Sequence, residues 1–196
     1  MNVAILTAAG YGTRMHSDIP KQFMHVKDKP IIVYTLEAFQ KHPSIDAILV
    51  VTLDAWSDVI WDYAKEFGIT KLKWIVSGGE TGQDSIFCGL KKLEGILGFE
   101  DIVMIHDGNR PLVSTEIISD SFSVMKKSGN AVAVIPCTEV VFESDDGISS
   151  KKSTEREKLF RTQTPHTYNF GEVFSAYKEA EKKGIQGMAA TCMLMK

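Results

Sequence analysis

Arg14 and Lys21 stand close behind a run of small residues, Ala8-Ala9-Gly10-Tyr11-Gly12-Thr13, which itself follows an apolar N-terminal stretch. Small residues after a strand let backbone N–H groups approach a ligand, and glycine adopts conformations that a Cβ forbids. Ala8, Ala9, Gly10, Gly12 and Thr13 are therefore candidate ligand-loop residues, with Arg14 and Lys21 adding positive charge beside their amides. That combination suits a polyphosphate, each charge-assisted hydrogen bond contributing roughly 1.5–3 kcal/mol. The spacing argues against two other loops. Met15 stands where a dinucleotide fingerprint needs its third glycine, and Thr13-Arg14 does not supply the Gly-Lys-Ser/Thr that closes a P-loop. On these residues alone, a plain tight turn is the remaining alternative.

Two further clusters carry chemistry. In His106-Asp107-Gly108-Asn109-Arg110-Pro111, an aspartate follows a short apolar run. Mg²⁺ prefers one or two carboxylates plus phosphate oxygens, so Asp107 suits a metal site; it equally suits a turn cap. In Gly78-Gly79-Glu80-Thr81-Gly82-Gln83-Asp84-Ser85, Ser85 and nearby amides can meet an anion or a base ahead of a helix. An ordinary loop with a helix N-cap is the other reading.

Strands and helices must position these residues. Apolar runs at 2–7, 46–53, 72–76, 102–105 and 130–136 read as strands, and the 46–53 run is continuous enough to be covered on both faces. Between them, 31–41, 57–67, 84–93 and 115–127 read as helices, with Pro30 before the first and Gly68 and Gly129 after the second and fourth. Such alternation predicts an α/β fold: a doubly wound, mostly parallel sheet with helices on both faces. Ligands then bind beyond the carboxyl ends of the strands, where the glycine loop, Gly78-Gly79 and Asp107 all fall. The rhythm breaks at 139–160, which reads as an extended arm or a surface loop, and 170–183 reads as a last helix.

Composition narrows the class. The chain has 196 residues, 44% hydrophobic and 24% charged, as expected for one soluble globular domain. A net charge of -3 gives no electrostatic case for nucleic acid or an anionic membrane, so any anionic ligand is held by local cations. Cys88, Cys137 and Cys192 lack metal-ligand spacing and suit a reducing compartment. Neither a signal peptide nor a membrane span is legible, and the expected location is the cytoplasm.

The run A-A-G-x-G-x-R-M at 8–15 followed by Pro20-Lys21-Gln22 resembles the signature of cytidylyltransferases that make CDP-alcohols, the methylerythritol phosphate and ribitol phosphate cytidylyltransferases. The resemblance implies a Rossmann-like nucleotidyltransferase fold, a single domain over 1–196, and a protruding β-arm at 137–163 that interlocks two subunits. It implies CTP and a polyol phosphate as substrates, with release of pyrophosphate. Arg14 and Lys21 would then act on the nucleotide phosphates, Asp107 would bind Mg²⁺, and Gly79 and Ser85 would read the nucleoside. Arg110, Arg156 and Thr164 would orient the acceptor, with Arg156 reaching into the partner's site of a homodimer. The chain departs from the pattern at Gly82, where relatives carry arginine, at Gly108-Asn109, at Val140, at His166 and at Ala189-Ala190-Thr191. Such relatives also continue past the point matching Lys196, so the sequence is expected to lack a last segment. Two rival readings remain: a non-catalytic nucleotide-binding descendant, which the lost arginine favours, and a nicotinamide oxidoreductase, which Met15 opposes.

Overall fold

The computed structural model describes residues 1–12, 19–188 and 190–195. Its centre is a six-stranded sheet. The chain opens with β1 (Asn2–Ala8), passes through a small ribbon of β2 (His25–Val26) and β3 (Lys29–Pro30), and enters α1 (Ile31–Lys41). It continues as β4 (Ala47–Thr52), α2 (Ser57–Glu66), β5 (Leu72–Ser77), α3 (Gly82–Leu93), β6 (Ile102–Asp107), α4 (Thr115–Ser128) and β7 (Asn130–Pro136). A hairpin of β8 (Phe142–Glu143) and β9 (Lys152–Ser153) leads to β10 (Phe160–Asn169) and α5 (Phe170–Lys182).

The sheet order is β5-β4-β1-β6-β10-β7. β1 pairs in parallel with β4 and β6, and β4 with β5. Side chains alternate across these strands. Ala4, Leu6 and Ala8 join Ile48, Val50 and Met104 under α1 and α4, whereas Val3 and Ile5 join Leu49, Val51 and Val103 under α3 and α5. Each of the larger ones, Leu, Ile, Val or Met, taken fully from water stabilises the fold by about 1.5–3 kcal/mol. Because both faces are covered, β4 is buried along its whole length, which explains its unbroken apolar run. The chain leaves β1 toward β4 and β5, and α3 then crosses back to β6 on the other side of β1. Strand order therefore reverses between β1 and β6, opening a crevice at their carboxyl ends.

The sequence reading had no strand at 160–169. β10 runs antiparallel between β6 and β7, making the sheet mixed while the other five strands run one way. Its register with β7 shifts between Thr162 and His166, so Gln163-Thr164-Pro165 bulge out of the ladder. The arm expected over 137–163 is correspondingly shorter, since Phe160, Arg161 and Thr162 pair with β7 in the central sheet. The turn of the hairpin is organised by Asp146. Its carboxylate accepts from the backbone N–H groups of Ser149 (2.8 Å) and Ile148 (2.9 Å), which hold it well below the usual carboxylate range. Among the described residues, no helix is long and apolar enough to cross a membrane.

Candidate active site

Four strand ends and one short turn enclose a cleft of about 890 Å³. Ala8, Ala9, Gly10 and Gly12 form its first wall, behind β1. Thr52 ends β4 with Asp54 just past it, Ser77 ends β5 with Gly78 to Thr81 past it, Gly82 opens α3, and Asp107 ends β6 with Asn109 past it. Lys21 lines it from a 3-10 turn, Lys21–Phe23. Ser85 lines it from α3.

The sequence of that 3-10 turn explains how Lys21 is presented. Gln22 and Phe23 are buried, and Phe23 stacks on Trp56 with ring centroids 3.9 Å apart, anchoring the turn to the segment after β4. Gln22 extends the other way: its Nε2 donates to the carbonyl oxygens of Ala8 (2.5 Å) and Gly10 (3.0 Å). One buried amide thus clamps the small-residue loop on both sides of Ala9. Gly12, at φ +67°, takes the left-handed conformation disfavoured for side-chain-bearing residues, and it sits beside Lys21.

The loop after β5 is held as firmly. Thr81 caps α3, accepting from the Asp84 N–H at 3.1 Å while Asp84 accepts from the Thr81 N–H at 3.1 Å. This capping box starts the helix at Gly82, two residues before the sequence suggested. Ser85 is therefore not the cap; its buried hydroxyl accepts from the Gly79 N–H at 3.1 Å and fixes the loop. A Cβ on Gly78 would lie 2.3 Å from the Ala9 Cβ, so only glycine lets the loops after β1 and β5 pack together. The Ser77 hydroxyl donates to Asp54, tying the ends of β5 and β4.

At the end of β6, Asp107 accepts from the Thr7 hydroxyl at 3.3 Å and from Arg110 Nε at 2.6 Å. Arg110 also donates to the Gln163 side chain, and the Asp107 N–H donates to Thr164 Oγ1 at 3.3 Å. Two buried histidines support this chain. His106 Nε2 lies 3.0 Å from the Arg110 carbonyl, and His166 Nε2 lies 2.7 Å from that of Gln163. A carbonyl only accepts, so Nε2 carries the proton in each ring. Burial pushes both imidazoles below the ordinary histidine range, and they serve as neutral donors. Arg110 and Thr164 line a second cleft of about 540 Å³ with Val134, Ile135 and Gln163.

The structure thus gathers Ala8, Ala9, Gly10, Gly12, Lys21, Gly79, Ser85 and Asp107 in one cleft, with Arg110 and Thr164 beside it. Arg156 lines neither; it sits beyond the hairpin, 3.5 Å from Glu157. Thr13 and Arg14 lie outside the described residues, as does Ala189. Gln22 and Asp54, which line the cleft and tie its loops, were not singled out from the sequence. The adjacency of Gln22 to Lys21 in Pro20-Lys21-Gln22 was the available signal for the first; the second has none, since its partner is 23 residues away.

A doubly wound sheet with a glycine loop, a lysine and a strand-end aspartate around one crevice is the arrangement of a nucleotide-binding α/β protein, and the family match makes it a nucleotidyltransferase. The family model for IspD, 2-C-methyl-D-erythritol 4-phosphate cytidylyltransferase, matches residues 2–194, and the chain belongs to that family. It is 43% identical over 185 residues to a ribitol-5-phosphate cytidylyltransferase of Lacticaseibacillus paracasei, covering 94% of this chain and 79% of the relative. It is 38% identical over 182 residues to a 2-C-methyl-D-erythritol 4-phosphate cytidylyltransferase of Clostridium botulinum, covering 92% and 78%. The solved 4-diphosphocytidyl-2C-methyl-D-erythritol synthase of Anaerococcus prevotii shares the fold, with a TM-score of 0.83 at 24% identity over 98% of this chain and 80% of that one.

Proposed function

We propose that this chain transfers CMP from CTP to a polyol phosphate, ribitol 5-phosphate or 2-C-methyl-D-erythritol 4-phosphate, and releases pyrophosphate. The observation that carries this reading is the convergence of Lys21, the clamped loop and Asp107 on one crevice at the reversal of strand order. A phosphate oxygen of the acceptor attacks the α-phosphorus of CTP in line, and the bond to pyrophosphate breaks. That oxygen is already nucleophilic at neutral pH, so positioning and charge stabilisation supply most of the rate. Lys21, with Arg14 from the same segment, stabilises charge on the α-phosphate and the leaving pyrophosphate. Gly79 and Ser85 shape the nucleoside side of the cleft, while Arg110 and Thr164 orient the acceptor.

Asp107 would hold Mg²⁺. Asp107 stands at the end of β6 with its carboxylate on the cleft, paired with Arg110, and Asp54 and Glu80 also line the cleft, so carboxylate oxygens are offered to an ion whose remaining shell nucleotide phosphates and water would complete. When bound, the ion neutralises phosphate charge.

The functional unit we infer is a homodimer. Val140, Phe142, Ile148 and Phe160 expose apolar surface on and beside the hairpin, and a second copy covering it would bring Arg156 to the partner's acceptor site. Three free cysteines and the need for CTP support a cytoplasmic setting.

Pyrophosphate release with Mg²⁺ and CTP, offered ribitol 5-phosphate and methylerythritol 4-phosphate in parallel, tests the reaction. Release with a polyol phosphate and CTP, but not with ATP or GTP, is expected. CTP binding without release would instead favour the non-catalytic descendant.

A further inference from the structure

Asp107 and Arg110 belong to different clefts. Asp107 lines the nucleotide crevice and Arg110 lines the cleft beside it, yet Arg110 Nε donates to Asp107 Oδ2 at 2.6 Å. This ion pair is the seam between the two, and both of its side chains remain partly exposed. The backbone beneath it is fixed. The Gly108 N–H donates to the Thr7 carbonyl at 2.8 Å, the Thr35 hydroxyl donates to the Gly108 carbonyl at 2.8 Å, and the Arg110 N–H donates to the Asp107 carbonyl at 3.0 Å. Each side chain has one further, neutral partner. Asp107 Oδ1 accepts from the Thr7 hydroxyl at 3.3 Å, and Arg110 Nη1 donates to the Gln163 side-chain oxygen. Gln163 Nε2 in turn donates to the Thr162 carbonyl at 2.8 Å, which leaves its Oε1 for Arg110.

Once the clefts are filled, each end of the pair meets a more highly charged partner. A phosphate monoester beside Arg110 offers the guanidinium two oxygens and up to two negative charges, against one on the carboxylate. A divalent cation on the nucleotide phosphates offers Asp107 twice the charge of a guanidinium. While the two side chains neutralise each other, the carboxylate is a weak metal donor and the guanidinium a weak phosphate receptor. Resting on the polyol phosphate reading above, we infer that the Asp107–Arg110 pair couples the two clefts: the acceptor's phosphate draws Arg110 off Asp107 and frees the carboxylate for the divalent cation carried by the nucleotide. Gln163 keeps its hold on Nη1, so the guanidinium turns without leaving the second cleft. Linkage makes the effect reciprocal, an occupied Asp107 raising acceptor affinity by the same factor. Charge stabilisation by Asp107 is thereby withheld until an acceptor is in place.

The test is calorimetric and needs no turnover. A CTP analogue with a methylene bridge between the α- and β-phosphorus is titrated into the full chain, once with EDTA and once with Mg²⁺. The ratio of the two dissociation constants gives the metal-dependent gain in affinity. In wild type, saturating ribitol 5-phosphate or methylerythritol 4-phosphate should raise this ratio about fivefold or more. Arg110→Met removes the competing cation and should show the raised ratio without acceptor. Arg110→Lys keeps the charge and should start near the wild-type ratio. Asp107→Asn should hold the ratio low, alone and combined with Arg110→Met. Melting temperatures should stay near wild type, because a partly exposed ion pair contributes little stability, whereas a purely structural pair would lower them without moving the ratio. A wild-type ratio in Arg110→Met, a raised ratio that survives in the double variant, or a wild-type ratio that neither acceptor moves overturns the coupling and leaves the transferase reading standing. An analogue that binds in neither condition overturns the reading itself, and the inference with it.

Discussion

Lys21 is the residue on which the proposed chemistry leans most. Its cation meets charge that grows as pyrophosphate departs, so Lys21→Ala should cost about 10²–10³ in kcat with a much smaller change in the KM for CTP. Steady-state pyrophosphate release measures both, and an unchanged kcat would remove Lys21 from the mechanism. The buried histidines have a different role, visible in pH dependence. His166 is held neutral by burial below its ordinary value of 6.5, so as pH falls the unfolded chain takes up the proton first. Its contribution is complete above about pH 6.5 and is lost as pH drops toward the depressed value. His166→Gln keeps a donor for the Gln163 carbonyl but does not titrate there. The fall in melting temperature between pH 7 and pH 5 should therefore be smaller in that variant than in wild type.

Between residue and molecule, the loops are held by single side chains that bridge elements. Gln22→Leu conserves approximate volume but strips two carbonyls, of Ala8 and Gly10, of their donor. A loss of about 1–3 kcal/mol is expected, with a raised KM for CTP because the loop loosens; calorimetry and kinetics read the two effects. Thr81→Ala, which removes the cap of α3, should cost about 1 kcal/mol by chemical denaturation. The helices and parallel strands that carry these loops were legible from sequence, α1 and β7 to the residue, because apolar period and punctuation agree there. β10 was not. Arg161-Thr162-Gln163-Thr164-Pro165-His166 has no alternation, and its proline has no N–H for a ladder; the strand exists because β6 and β7 flank it and a bulge takes up the mismatch. The glycine loop was readable since small residues and cations are contiguous. The Asp54–Ser77 tie and the Gln22 clamp arise only when separate segments meet.

At the scale of the whole molecule, the dimer proposal makes Arg156 and Lys21 of one site belong to different chains. Arg156→Ala and Lys21→Ala, each nearly inactive alone, should then complement when unfolded and refolded together. Random pairing leaves about a quarter of the sites with both side chains. No recovery would place Arg156 outside the site. The mixed sheet has a consequence of another kind, in the order of synthesis. β6 is made early, but its outer neighbour is β10, some 60 residues later, and β7 has no partner in the sheet except β10. Until residue 169 has left the ribosome, β6 presents an open edge and β7 is held chiefly by α4. A nascent chain stopped at 159 should be cut readily within 130–136 by protease, whereas one extended past 182 should resist: the last strand in time is the one that locks the sheet.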